Sequence, residues 1–149
     1  MSLQDPAFKM SKSHSDPKTR ILITDSPDEI RKKIMSALTD SVNSVSYDPR
    51  NRPGVSNLLQ ILSHFDTEGR SAEDLGLAYS NLTLRELKTL VSDNIAQSLL
   101  PIRKRYEEVM AEDNGAYIDH VQAKGAEKAR ESAEETMSVI REKTRLHGF

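Results

Sequence analysis

One apolar period dominates the second half of this chain: Leu84, Leu87, Val91, Ile95, Leu99, Ile102, Tyr106 and Val109 recur every three or four residues. That spacing lines one side of an α-helix, which at 1.5 Å per residue would be roughly 40 Å long. Thr83-Leu84-Arg85-Glu86 starts it as a capping box. Pro101 falls inside it, where a missing backbone donor predicts a kink costing about 3 kcal/mol, to be offset by packing on either side.

The flanking segments also read as helix. Asp113-Asn114-Gly115 makes a turn, and a last helix follows from about Ala116 to Arg145. Its inner face runs from Tyr117, Ile118 and Val121, through the small Gly125, Ala126, Ala129 and Ala133, to Met137 and Ile140. Small residues admit a close neighbour, so this helix is expected to lie antiparallel to the one before it, as in the αα-hairpin of a bundle.

Upstream, Ser26, Pro27 and Glu29 form a capping box with a proline at the first helical position. The helix they open is expected to reach about Thr39, burying Ile30, Ile34, Ala37 and Leu38, with Arg31, Lys32 and Lys33 on a solvated face. Val45 and Tyr47 anchor the polar connection from Asp40 to Arg52. Pro53-Gly54-Val55-Ser56-Asn57 opens a second helix, and Leu58, Leu59, Ile61, Leu62 and Phe65 make it the most buried one. Asn57 reads as a polar group near a cap, which cap preferences favour, or else as a buried hydrogen-bonding residue. Gly69 stops that helix, and Ser71-Ala72-Glu73-Asp74 begins a short one ending near Tyr79. Ile21-Leu22-Ile23 is too short for more than an isolated extended piece or the edge of a missing sheet.

Strand-type alternation is scarce, and Leu, Ala, Glu, Lys, Arg and Gln dominate the second half, so the fold class is all-α: a helical bundle preceded by an extended loop. The 149 residues fit one domain of modest core, with 36% apolar and 30% charged residues. A net charge of −2 excludes a generic polyanion binder and makes any RNA contact local. The absence of Cys excludes disulfides, thiolate metal sites and Cys nucleophiles. No apolar run approaches the roughly 20 residues that span a bilayer, and neither a secretory h-region nor an Arg-rich transit pattern is visible.

The chemistry-bearing stretch is Lys9-Met10-Ser11-Lys12-Ser13, in a segment from Met1 to Ser15 without a period. Two ammonium groups three residues apart, with hydroxyls beside them, suit a loop that closes over a polyphosphate. They equally suit a solvated basic leader. A phosphate loop normally hangs from a nucleotide-holding sheet, so the chain is expected to begin partway through a larger catalytic unit.

Several segments together resemble one family. Met1-Ser2-Leu3 and Asp5-Pro6 precede the Lys9–Ser13 signature. Ile23-Thr24-Asp25-Ser26-Pro27 with Ile30, and Thr39-Asp40 with Tyr47-Asp48-Pro49, follow it. Pro53-Gly54-Val55-Ser56-Asn57-Leu58-Leu59 with Ile61-Leu62, and Gly125-Ala126-Glu127-Lys128-Ala129, are the most specific stretches. In these the chain resembles the carboxy-terminal part of the tryptophanyl-tRNA synthetases of the bacterial and organellar type, class I aminoacyl-tRNA synthetases. Ile23 to Pro27 and His14-Ser15-Asp16-Pro17 are worded more like the mitochondrial branch, which implies the mitochondrial matrix, with the bacterial cytoplasm as the alternative.

The resemblance implies a ligase that activates tryptophan with ATP and Mg2+ and transfers it to tRNA(Trp), as a homodimer, with no protein-bound metal and no membrane or DNA partner. By this analogy residues 1–25 hold the phosphate loop and the end of the catalytic domain, and 26–149 a helical domain that binds the tRNA anticodon. Lys9 and Lys12 would be catalytic, and Lys9, Met10, Ser11, Lys12 and Ser13 would bind ATP and pyrophosphate. Arg103, Lys104, Arg105, Lys124, Lys128 and Arg130 are candidate tRNA contacts, each equally readable as a solvated helix face. None of His14, His64, His120 or His147 sits in the His-x-Gly-His type signature of the class, so this chain alone is expected to be inactive. The alternative is a non-catalytic helical RNA-binding or dimerisation module.

Overall fold

The computed structural model describes residues 1–144. Among these residues it contains five α-helices and no strand: α1 (Pro27–Met35), α2 (Pro53–His64), α3 (Ala72–Ala78), α4 (Leu84–Ala111) and α5 (Ala116–Thr144). Single turns of 3-10 helix stand at Pro17–Thr19 and Glu112–Gly115. Two compact units are present, Met1–Arg103 and the part from Lys104 onward.

In the first unit the helix starts are set locally. Glu29 N donates to Ser26 Oγ at 3.3 Å while Ser26 N donates to Glu29 Oε2 at 2.8 Å, with Pro27 in the first turn. Ser71 with Asp74, and Thr83 with Glu86, repeat this exchange. Each box satisfies amide donors that a helix start leaves orphaned, worth about 1 kcal/mol. Hydrogen bonds from the capping residue hold the Glu29, Asp74 and Glu86 carboxyls below their ordinary values.

Around α2 the unit closes one core. Val55, Leu58, Leu59 and Leu62 of α2 meet Leu3, Ile30, Ile34, Val45, Leu75, Leu87, Val91 and Ile95, all buried. Apolar side chains on more than one face of α2 thus have partners on every side, as expected. Val45 is buried and Tyr47 half-buried, its hydroxyl accepting from Gln60 Nε2 at 3.0 Å.

Three expectations need correction here. Helix α1 stops at Met35, not near Thr39, and Leu38 is 53% exposed. Lys88 of α4 explains the early stop: its Nζ donates to Met35 O at 3.3 Å and Ala37 O at 2.8 Å, holding carbonyls that end the helix, while Leu38 N turns to Leu3 O at 2.8 Å. Burial pushes the Lys88 pKa down. Lys33 is not on a solvated face, because its Nζ lies 2.5 Å from Asp25 Oδ2 with both side chains almost covered. Arg31 and Lys32 are exposed as expected. Asn57 is buried and caps nothing, as described below.

Helix α4 runs through Pro101 without interruption. Its stripe is buried at Leu87, Val91 and Ile95, and Ile102 is half exposed. In the second unit the expected inner face of the last helix is not buried, with Ile118 and Ala126 half-covered. No described residue of α5 is buried, and Tyr117, Val121, Met137 and Ile140 are exposed. Gly125, Ala126, Ala129 and Ala133 carry little apolar area, so burying them would return little free energy. Arg145, where that helix was expected to end, lies outside the described residues.

Between α2 and α3 the chain turns at Gly69, whose φ of +71° suits glycine. There Arg70 Nη2 meets Asp66 Oδ1 at 2.6 Å, and Arg70 N donates to Asp66 Oδ2 at 2.9 Å. These bonds hold the Asp66 carboxyl at about 2, against an ordinary 3.8. As pH falls below 3.8 the unfolded chain takes up this proton first, so stability that the clamp supplies in full above that pH drains away towards about 2. Asp66→Asn should therefore melt below the wild type near neutral pH, and the gap should close between about 4 and about 2. A gap of constant size in melts across that range would assign the stabilisation to another group.

Candidate functional site

The Lys9–Ser13 loop is irregular in backbone but fastened at both ends. On the entering side Ser2 N donates to Phe8 O at 2.7 Å, Leu3 N to Thr19 O at 3.0 Å and Leu38 N to Leu3 O at 2.8 Å, with the Leu3 side chain sunk in the core. On the leaving side Arg20 Nη1 donates to His14 O at 2.8 Å and Asp16 O at 3.3 Å, and Asp16 Oδ1 accepts from Lys18 N at 2.9 Å.

Between these fastenings Lys9, Lys12 and Ser13 are exposed, and Ser11 is half-buried with its Oγ 3.3 Å from that of Ser13. Among the described residues neither ammonium makes an ion pair, so both charges remain open to an incoming anion. Beside the loop is a cleft of about 530 Å³ edged by Ser2, Gln4, Phe8, Lys9, Ser11 and His14. His14 Nδ1 accepts from Asp16 N at 3.1 Å, which places the proton of a neutral ring on Nε2.

Met10 instead packs against the core and lines an apolar hollow of about 310 Å³ together with Ile21, Leu22, Phe65, Ile95 and Leu99. The Ile21-Leu22-Ile23 run is thus a wall of this hollow. The loop divides its labour by residue type: Met10 seats it, and the cations and hydroxyls are left at the surface.

The six helical cations fall in both units, Arg103 in the first and the other five in the second. Arg103 Nη1 donates to Asp25 O at 3.0 Å, within the first unit. In the second unit Lys104 and Lys128 are exposed, and Arg105 pairs with Glu108 at 3.2 Å, both well exposed, a kind of pair worth about 0–1 kcal/mol. Lys124 and Arg130 share a shallow depression on α5 with His120 and Glu127. His120 is a member that the sequence reading missed, although its four-residue spacing from Lys124 could have flagged it. Asn57 and Arg20, which hold the backbone on either side of residues 9–13, were also missed as site residues. Among the described residues no three His, Asp or Glu side chains converge as a metal-holding group.

The site is thus a loop fastened at both ends that presents two ammonium groups and adjacent hydroxyls from a helical body. Residues 1–99 match the model of the family described as tRNA synthetases class I (W and Y), and the chain belongs to this family. Within it the relatives are tryptophan enzymes. The chain is 39% identical over 133 residues to the tryptophan–tRNA ligase of Bacillus anthracis, covering 89% of this chain and 39% of that protein. It is 39% identical over 140 residues to the mitochondrial tryptophan–tRNA ligase of Caenorhabditis elegans, covering 94% of this chain and 37% of that protein. The crystal structure of tryptophanyl-tRNA synthetase from Mycoplasma pneumoniae superposes with a TM-score of 0.70 at 26% identity, over 95% of this chain and 42% of that one. The chain thus spans about two fifths of the length of these relatives.

Proposed function

We propose that this chain is the part of a tryptophanyl-tRNA synthetase that closes on the leaving pyrophosphate and carries the tRNA-binding helices. In the assembled enzyme the tryptophan carboxylate attacks the α-phosphorus of ATP, the bond to the bridging oxygen breaks, and pyrophosphate leaves with its negative charge. Lys9 and Lys12 meet that charge as it grows, and Ser11, Ser13 and loop amides donate hydrogen bonds to the same oxygens. ATP brings Mg2+ with it. The tryptophanyl group then passes to the terminal ribose of tRNA(Trp).

In this reading residues 1–25 complete the catalytic domain, 26–149 grip the tRNA, the enzyme works as a homodimer, and its compartment is the mitochondrial matrix. The observation that carries the reading is the pair of unpartnered ammonium groups on a loop fastened at both ends, inside the stretch that matches the family. The helical cations supply the second half, Lys124 and Arg130 foremost because they share one patch.

A native gel shift tests that half. The chain should retard tRNA(Trp) at low salt and release it as salt rises. Lys124→Gln with Arg130→Gln should flatten the salt dependence by about two units of slope if each cation meets a phosphate. No shift at low salt, or an unchanged slope in the double variant, would remove these residues from the interface.

A further inference from the structure

The segment Pro53–Leu59 contains a buried amide that the proposed chemistry does not use. Asn57 lies on α2, among the buried Val55, Leu58 and Leu59, and is only 4% exposed. The described hydrogen bonds of its side chain all go to residues 1 and 2. Nδ2 donates to Ser2 O at 3.1 Å and Met1 O at 3.4 Å, and Oδ1 accepts from the terminal ammonium of Met1 at 3.0 Å. Its neighbour Ser56 does the same for a different segment, accepting from Asp48 N at 2.9 Å and so holding the connection between α1 and α2.

What Asn57 holds is the root of the phosphate loop. The carbonyl of Ser2 takes the Asn57 amide, and the amide of Ser2 donates to Phe8 O, the carbonyl immediately before Lys9. Ser2 Oγ also accepts from Gln4 N and Asp5 N, both at 3.3 Å, which stiffens the turn between the two ends of that link. Helix α2 and the first loop cation are therefore joined through two hydrogen bonds and two residues, Ser2 and Phe8. An isolated polar side chain on an apolar helix face is costly to bury unless satisfied, and here satisfaction depends on this segment staying in register.

We propose that Asn57 is a positioning residue for the Lys9–Ser13 loop: through Ser2 it sets where Phe8 ends and Lys9 begins. The positional part stands on the hydrogen bonds; that the loop's ligand is a polyphosphate rests on the function proposed above.

The test compares Asn57→Ala and Asn57→Ser with Leu62→Ala, a core truncation on the same helix that leaves the Ser2 link intact. Each folded variant is treated with trypsin well below its melting temperature, and cleavage after Lys9 and Lys12 is followed by mass spectrometry, with and without inorganic pyrophosphate. Both Asn57 variants should be cut at these sites roughly tenfold faster than wild type, the scale of one or two lost net hydrogen bonds. More pyrophosphate should also be needed to protect them, while Leu62→Ala should follow the wild type at both lysines. Cleavage of a folded Asn57 variant at the Leu62→Ala rate would overturn the proposal. Failure of pyrophosphate to protect even the wild type would instead overturn the polyphosphate reading, with the cleavage rates still deciding the positional role. Should Asn57→Ala not fold, Asn57→Ser, which keeps a small polar group able to bond within its own helix, decides in its place.

Discussion

Lys12→Ala, placed in a full-length synthetase carrying this sequence, is expected to slow tryptophanyl-adenylate formation by about 10²-fold or more, the cost of removing one preorganised charge partner from a transition state. Lys12 is exposed, has no ion pair in its own chain among the described residues, and stands on a loop fastened at Phe8 and His14. Its ammonium therefore has nothing to stabilise in the resting protein, and its removal should leave folding intact. In the reaction proposed above it would meet charge that appears only as pyrophosphate departs, so the loss should fall on the rate of the chemical step more than on ATP affinity. ATP–pyrophosphate exchange measures this directly. Lys18→Ala is the control, because Lys18 is also exposed but lies outside the loop, in the 3-10 turn. An exchange rate for Lys12→Ala equal to that of Lys18→Ala would take Lys12 out of the mechanism.

Gly54→Ala should cost about 3 kcal/mol or more, at the upper end of what overpacking a core brings. A Cβ at Gly54 would stand 2.2 Å from Leu38 O and 3.2 Å from Thr39 Cα, so backbone has to move. Leu38 is not free to yield, since its amide is tied to Leu3 O and Leu3 is a core residue. The displacement would also reach Leu3, at the root of the Lys9–Ser13 loop. Gly125→Ala on α5 is the contrasting change, because an added Cβ there meets nothing within 4 Å. Helix propensity then acts alone and should favour α5 locally by roughly 0.5–1 kcal/mol. Urea unfolding followed by circular dichroism separates the two. A Gly54→Ala midpoint equal to that of the wild type would mean that α2 does not approach the Leu38 carbonyl so closely.

Where the deciding physics is local, the chain could be read directly. The capping boxes at Ser26 and Thr83 need only residues three apart, and both form. The burial of α2 could be read from apolar residues on several of its faces. For Leu38, and for the choice between cap and buried hydrogen-bonding residue at Asn57, the favoured reading differs from the structure because each is settled by a residue far along the chain. Lys88 ends α1 from α4, and Met1–Ser2 turn Asn57 from an apparent cap into a buried clasp. Lys33 was placed on a solvated face because helical periodicity says nothing of Asp25, which lies before the helix starts. The apolar positions of α5 suggested a packed seam, yet periodicity gives only a face and not what covers it. At the site, the loop cations could be read from residue type alone, but their fastening by Ser2, Leu3 and Arg20 could not, since those bonds run through backbone carbonyls.

The most direct measurement joins this chain to an upstream nucleotide-binding half of a tryptophan–tRNA ligase and follows attachment of labelled tryptophan to tRNA(Trp). Charging with tryptophan and not with tyrosine, abolished when Lys9 and Lys12 are both replaced by Ala, is the result that follows from the loop and helices described here. A folded, joined protein that charges no tRNA, or one that charges equally well without the two lysines, would contradict it.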